Sequence, residues 1–159
     1  MTEQQANIGL PQESIASVVQ ILRRLLGNSF VLYVMIKQFH RNIRGTHFFE
    51  YHEKFDEMAG DLLPVIDDTA EKIRSLWVTS PGTMQEFLAD ASVDEVATAD
   101  ISTDMMLNKL LNVYEQLIQE IRKDIATCEQ VGDAGNADFL TGLIQDLEKT
   151  AWMLRATFA

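Results

Sequence analysis

Four long stretches of the chain carry apolar residues at intervals of three and four, which predicts an all-α protein. Ile15, Val18, Val19, Ile21, Leu22, Leu25, Phe30, Leu32, Val34 and Ile36 define a first helix from about Pro11 to Phe39, ending near His40. Gly27-Asn28-Ser29 is its weak spot, because none of the three favours a helix interior. Asn42 to Thr46 reads as a turn, with Gly45 stopping one helix and Thr46 as N-cap of the next. The second helix runs to about Leu76 on a stripe of Phe48, Phe55, Ala59, Leu63, Ile66, Ala70 and Ile73. Pro64 interrupts it, but the residue four before is Gly60, so only a mild kink is expected. Val78 to Thr103 is too long for a simple bundle turn and is expected to hold a short helix from Met84 to Ala91. Leu107, Leu110, Leu111, Tyr114, Leu117, Ile118 and Ile121 place a third long helix from about Asp104 to Val131, and a fourth follows from about Ala137 to Thr157. The sum is a four-helix bundle with one crossover, occupying residues 11–159 after a short polar arm at 1–10.

The chemistry is concentrated between His40 and Glu71. On the second helix His52 points into the apolar stripe, and Asp56 follows one turn later. Asp67 and Glu71 form a second pair at the same spacing on the flank of that stripe. Ionisable groups there must be paired, protonated or metal-bound, because a lone buried carboxylate is heavily penalised by lost solvation. Fifteen residues separate His52 from Asp67 and Asp56 from Glu71, about 22 Å along a helix. One metal ion cannot touch both pairs in one chain. Two copies of the helix packed antiparallel about a two-fold axis would join the pairs and make two equivalent sites per dimer.

His40, Gly45, His52, Asp56, Asp67 and Glu71, in that spacing, resemble the Dps family of miniferritins. The resemblance runs from Asn7-Ile8-Gly9-Leu10 to the stretch Glu148 to Arg155, nearly the whole chain. It implies a ferritin-like four-helix bundle with the short extra helix in the long middle connection, assembled from two-fold dimers into a dodecameric hollow shell. It also implies a ferroxidase site built from His40, His52 and Asp56 of one subunit with Asp67 and Glu71 of its two-fold partner. Ferrous iron would be oxidised there by hydrogen peroxide and the ferric product stored, limiting oxidative damage. Two imidazoles with carboxylates suit ferrous iron, and zinc would be accepted by the same donors. Family members commonly carry Trp after the first histidine; here Arg41 is expected to set a cation beside the site.

Other polar residues read two ways. Glu50, Glu53, Glu57 and Asp61 form a row opposite the stripe, either a solvated face offset by Lys54 or, if it lines a shell, a nucleation site for ferric mineral. Asp133 and Asp138 complement the dipole at the start of the fourth helix; by resemblance, acids in this region line pores that admit ferrous ions, with Asp138 the better candidate. His47 reads as a surface residue, with an auxiliary metal role as the alternative. Cys128, Tyr114, Trp152 and Met153 read as packing residues.

Composition narrows the partners. A net charge of -11 opposes binding through phosphates, where affinity comes from Lys and Arg displacing counterions. The lysine-rich tails of family members that bind DNA are missing, so an architectural DNA-compacting role is disfavoured. No signal peptide or membrane-spanning run is evident, and the single cysteine suits a reducing compartment, so a cytoplasmic location is expected.

Overall fold

The computed structural model describes residues 6–98 and 100–158. Five helices follow one another: α1 (Gln12–Asn42), α2 (Phe48–Ser75), α3 (Met84–Asp90), α4 (Thr103–Gln130) and α5 (Ala134–Ala156). Among the described residues the structure is all-α, a four-helix bundle with α3 riding on the long connection between α2 and α4. α1 and α2 form one hairpin and α4 and α5 the other; α1 also packs against α3 and α4. Part of the expected N-terminal arm, residues 1–5, lies outside the described residues.

The helix ends show which local chemistry prevails. Pro11 stands at the N-cap of α1 rather than within its first turn, and its carbonyl accepts from Ile15 N at 3.1 Å. α1 continues two residues beyond His40, so that histidine belongs to the last helical turn and not to the connection. Gly45 makes the corner with φ 120°, a backbone shape a side chain would disfavour. α2 then starts one residue later than expected, with His47 and not Thr46 at its N-cap and no side chain capping it. α2 runs unbroken through Pro64. At α3 a full capping box forms: Glu86 N donates to Thr83 Oγ1 at 3.2 Å and Thr83 N donates to Glu86 Oε2 at 3.0 Å. α5 begins three residues before the expected start because Asp133 caps it, its Oδ1 accepting from Asn136 N at 3.0 Å.

The weak spot of α1 is where the middle connection docks. A Cβ on Gly27 would lie 2.5 Å from the Phe87 carbonyl oxygen, so only glycine lets α3 sit this close. Beside it Phe30 stacks on Phe87 at 3.9 Å between ring centroids. Buried Asn28 accepts from Ser92 N and Val93 N at 2.8 and 3.0 Å, which satisfies the connection's backbone where it enters the core.

Phe39, Phe55, Leu22, Leu32, Ile36, Ile73, Leu110 and Leu140 are among the fully buried side chains that join the hairpins. α1 is, by length and composition alone, apolar enough to cross a membrane, but 67% of that stretch is buried within the bundle. One expectation fails. Trp152 is 61% exposed and so is not a core residue, whereas Tyr114 is buried and Met153 half-buried.

Candidate metal centre

The end of α1 and the start of α2 are tied by two reciprocal hydrogen bonds. His40 Nδ1 donates to the His52 carbonyl oxygen at 2.8 Å, and His52 Nδ1 donates to the His40 carbonyl oxygen at 2.8 Å. A carbonyl oxygen can only accept, so each Nδ1 carries the hydrogen, and in the neutral ring each Nε2 keeps its lone pair. The rings stack with centroids 3.8 Å apart, and Phe48 stacks on His52 at 5.1 Å. Two nitrogen donors are thus held side by side in a half-buried corner, with tautomer and orientation fixed by main-chain acceptors.

Asp56 adds a carboxylate one turn along α2 from His52. Its Oδ1 lies 2.5 Å from Lys37 Nζ. The hydrogen bond and charge of that ammonium hold the Asp56 carboxyl below the usual carboxylate range, so it stays an anion well into acid. Lys37 precedes His40 by one helical turn, and sequence reasoning passed over it. Arg41 lines a groove with Gln38, Glu95 and Val96.

Asp67 and Glu71 stand apart, exposed and on the same helix. Among the described residues no three His, Cys, Asp or Glu side chains are gathered closely enough to hold an ion. A single chain therefore presents a partial donor set: two oriented imidazoles and one carboxylate occupied by a lysine.

A model described as the ferritin-like domain matches residues 19–159. A low temperature-induced protein of Nostoc is 36% identical over 151 residues, spanning 94% of this chain and 84% of that protein. DNA protection during starvation protein 2 of Bacillus anthracis is 32% identical over 139 residues, 87% of this chain and 94% of that protein. The crystal structure of a Dps protein from Vibrio cholerae O1, described as one of the ferritin-like diiron-carboxylate proteins, superposes with a TM-score of 0.92 over the whole of both chains at 28% identity. A Dps structure from Bacillus brevis gives 0.90 at 31% identity, over 94% of this chain and all of that one.

The chain belongs to the Dps family.

Away from the histidines, this Dps chain collects its acids into a groove between α2 and α5. Glu57, Asp61, Asp68, Asp138 and Asp146 line it together with Lys54, Lys149 and apolar side chains such as Val65 and Phe139. It unites part of the acidic row of α2 with Asp138, and adds Asp68 and Asp146, which the sequence reading overlooked. Lys54 pairs with Glu57 at 3.0 Å, while Glu53 is exposed and Glu50 faces His47 at 3.8 Å. Asp133 is buried and spends both carboxylate oxygens on Asn136, at 3.0 Å to N and 2.7 Å to Nδ2.

Proposed function

We propose that this protein is a ferroxidase and iron store whose sites are shared between two copies of the chain lying antiparallel along α2. His40, His52 and Asp56 of one copy face Asp67 and Glu71 of the other, and the dimers build a dodecameric shell. The observation that carries this reading is the reciprocal Nδ1–carbonyl pairing of His40 and His52. It spends the ring atoms that serve no ligand and leaves two oriented Nε2 donors beside an anion.

Ferrous iron is the substrate. Nitrogen and carboxylate donors fit it, and the carboxylates offset the charge gained on oxidation. Two ferrous ions give one electron each to hydrogen peroxide, whose O–O bond breaks; with two protons the products are two ferric ions and two waters. Taking both electrons in one site avoids release of hydroxyl radical. Lys37 neutralises Asp56 while no metal is bound and must leave that oxygen when iron arrives. The acidic groove containing Asp61 and Asp138 is the candidate route and nucleation surface for ferric product, with Glu50 and Glu53 on the same row.

Iron and peroxide are added anaerobically and the near-ultraviolet ferric absorbance is followed. The rise is expected in the wild type and lost in His52→Ala and in Glu71→Ala. Co-refolding those two variants restores about a quarter of the sites, because half of the dimers are mixed and each of these holds one intact site. No restoration would sink the shared site, and no rise in the wild type, with metal retained, would favour a zinc-holding shell. The acidic chain is expected to retain no DNA in a gel shift at low salt.

A further inference from the structure

Trp77 is the single non-glycine residue with positive φ among the described residues, at 64°. It closes the C-terminal turn of α2, donating from N to the Arg74 carbonyl at 2.9 Å, while Val78 N reaches Ile73 O at 3.4 Å. Glycine takes this left-handed shape freely and a bulky aromatic does not. The side chain is only partly packed. Trp77 is 52% exposed, and its charged neighbour Arg74 lies 5.9 Å from the ring centroid.

On α2 itself two large apolar side chains are exposed, Phe49 at 77% and Leu63 at 52%. Phe49 and Trp77 each lie fourteen residues from Leu63, one on either side. Fourteen residues are close to four turns, so Phe49 and Leu63 lie within about 40° of one line along α2, while Trp77 stands two residues past Ser75 at the end that carries Lys72 and Arg74. That line is separate from the face carrying Phe55, Met58, Leu62 and Ile73, which is buried in the bundle. A two-fold axis at Leu63 carries Phe49 onto Trp77 and Trp77 onto Phe49. Exposed Gly60 and half-buried Ala70 nearby are small enough for a second helix to come close. Charge selects the antiparallel arrangement. The half of α2 before Leu62 carries a net charge of -4 and the half from Leu62 onward -1, with Lys72 and Arg74 at its end. Antiparallel packing sets the more acidic half against the half that holds the cations.

We propose that Trp77 is an end clamp of the two-fold seam, its ring seated on Phe49 of the partner subunit at both ends of the paired α2 helices. The contact borders the metal centre, because Phe49 meets Phe48 edge-on at 5.4 Å and Phe48 stacks on His52. This inference rests on the two-fold pairing proposed above and adds the residue that fixes its register.

Within one chain Phe49 and Trp77 are about 42 Å apart along α2, so a disulfide between them can form only between copies. The double variant Phe49→Cys, Trp77→Cys is expected to give a covalent dimer on mild oxidation. In a Trp152→Phe background the emission of Trp77 is expected to shift to the blue in the assembly and return to the red on dissociation. Trp77→Gly relieves the backbone and folds at least as stably, yet is expected to raise the dimer dissociation constant about tenfold. An assembled double variant that forms no cross-link, with Trp77→Gly dimers as tight as wild type, overturns the clamp. If complementation between His52→Ala and Glu71→Ala still succeeds, the shared site survives that result. If complementation fails as well, the two-fold reading falls and the clamp falls with it.

Discussion

Lys37 Nζ sits 2.5 Å from Asp56 Oδ1, so the carboxylate nearest the paired imidazoles already holds a cation belonging to its own chain. An arriving ion must displace that ammonium, and part of its binding energy goes into the exchange. Lys37→Gln is therefore expected to bind zinc, a redox-inert probe, about tenfold more tightly in calorimetry. The same change should let the Asp56 carboxyl rise toward its ordinary value. The depressed wild-type value means that its stabilising contribution is present above the unfolded-state value and is lost as pH falls through the folded one. Carboxyl titration by NMR should show Lys37→Gln protonating Asp56 at higher pH than the wild type; coincident curves would contradict this.

His52→Phe retains a flat ring to stack on His40 and Phe48 but removes one donor to a main-chain carbonyl. Loss of that hydrogen bond is expected to cost about 1 kcal/mol in urea unfolding. Zinc binding should weaken far more than stability, since a ligand nitrogen goes with it. In the wild type, affinity should fall as pH drops, because imidazole binds metal only in its neutral form.

Gly27→Ala forces a Cβ against the Phe87 carbonyl oxygen at 2.5 Å, and the obstacle is backbone that cannot turn aside. The substitution would ordinarily favour a helix by about 1 kcal/mol. Here it is expected to destabilise by about 1–3 kcal/mol, with α3 and the Phe30–Phe87 stack displaced. Thermal melting together with the near-ultraviolet spectrum tests this, and a gain in stability would refute it.

Burial, with the Asp133 and Asp124 carboxylates nearby, pushes the Cys128 thiol up to about 11 from an ordinary value of 9.0. Folding thus favours the neutral thiol, and the associated stability is complete below the unfolded value and is lost as pH rises from 9 toward 11. Cys128→Ala should flatten the alkaline limb of the stability curve. The folded protein should also resist thiol reagents at mildly alkaline pH.

Much of this architecture is legible in the apolar spacing. α3 is found within a residue of its expected end, and α4 within one residue at both ends. Where the reading slips, a particular interaction explains it. Asp133 starts α5 early because its carboxylate caps Asn136, and Gly45 rather than Thr46 shapes the corner before α2. Phe55, Ala59 and Ile73 of the expected stripe are buried, but Leu63 is exposed, since α2 bears a second apolar line that periodicity alone merges with the first. His40, His52 and Asp56 could be picked out by residue type. Lys37 could not, because a lysine one turn before a histidine carries no signal until α1 and α2 lie side by side. The imidazole–carbonyl exchange was hidden for the same reason: half of its partners are main-chain atoms, which sequence does not distinguish.

That exchange also has a bearing on biosynthesis. Each ring is oriented by a peptide group that the ribosome adds twelve residues earlier or later. Neither imidazole is held in place until α1 and the start of α2 have both emerged and docked. A growing polypeptide accordingly offers passing metal ions only loose side chains, and the capacity to capture them arises late, once the corner has closed.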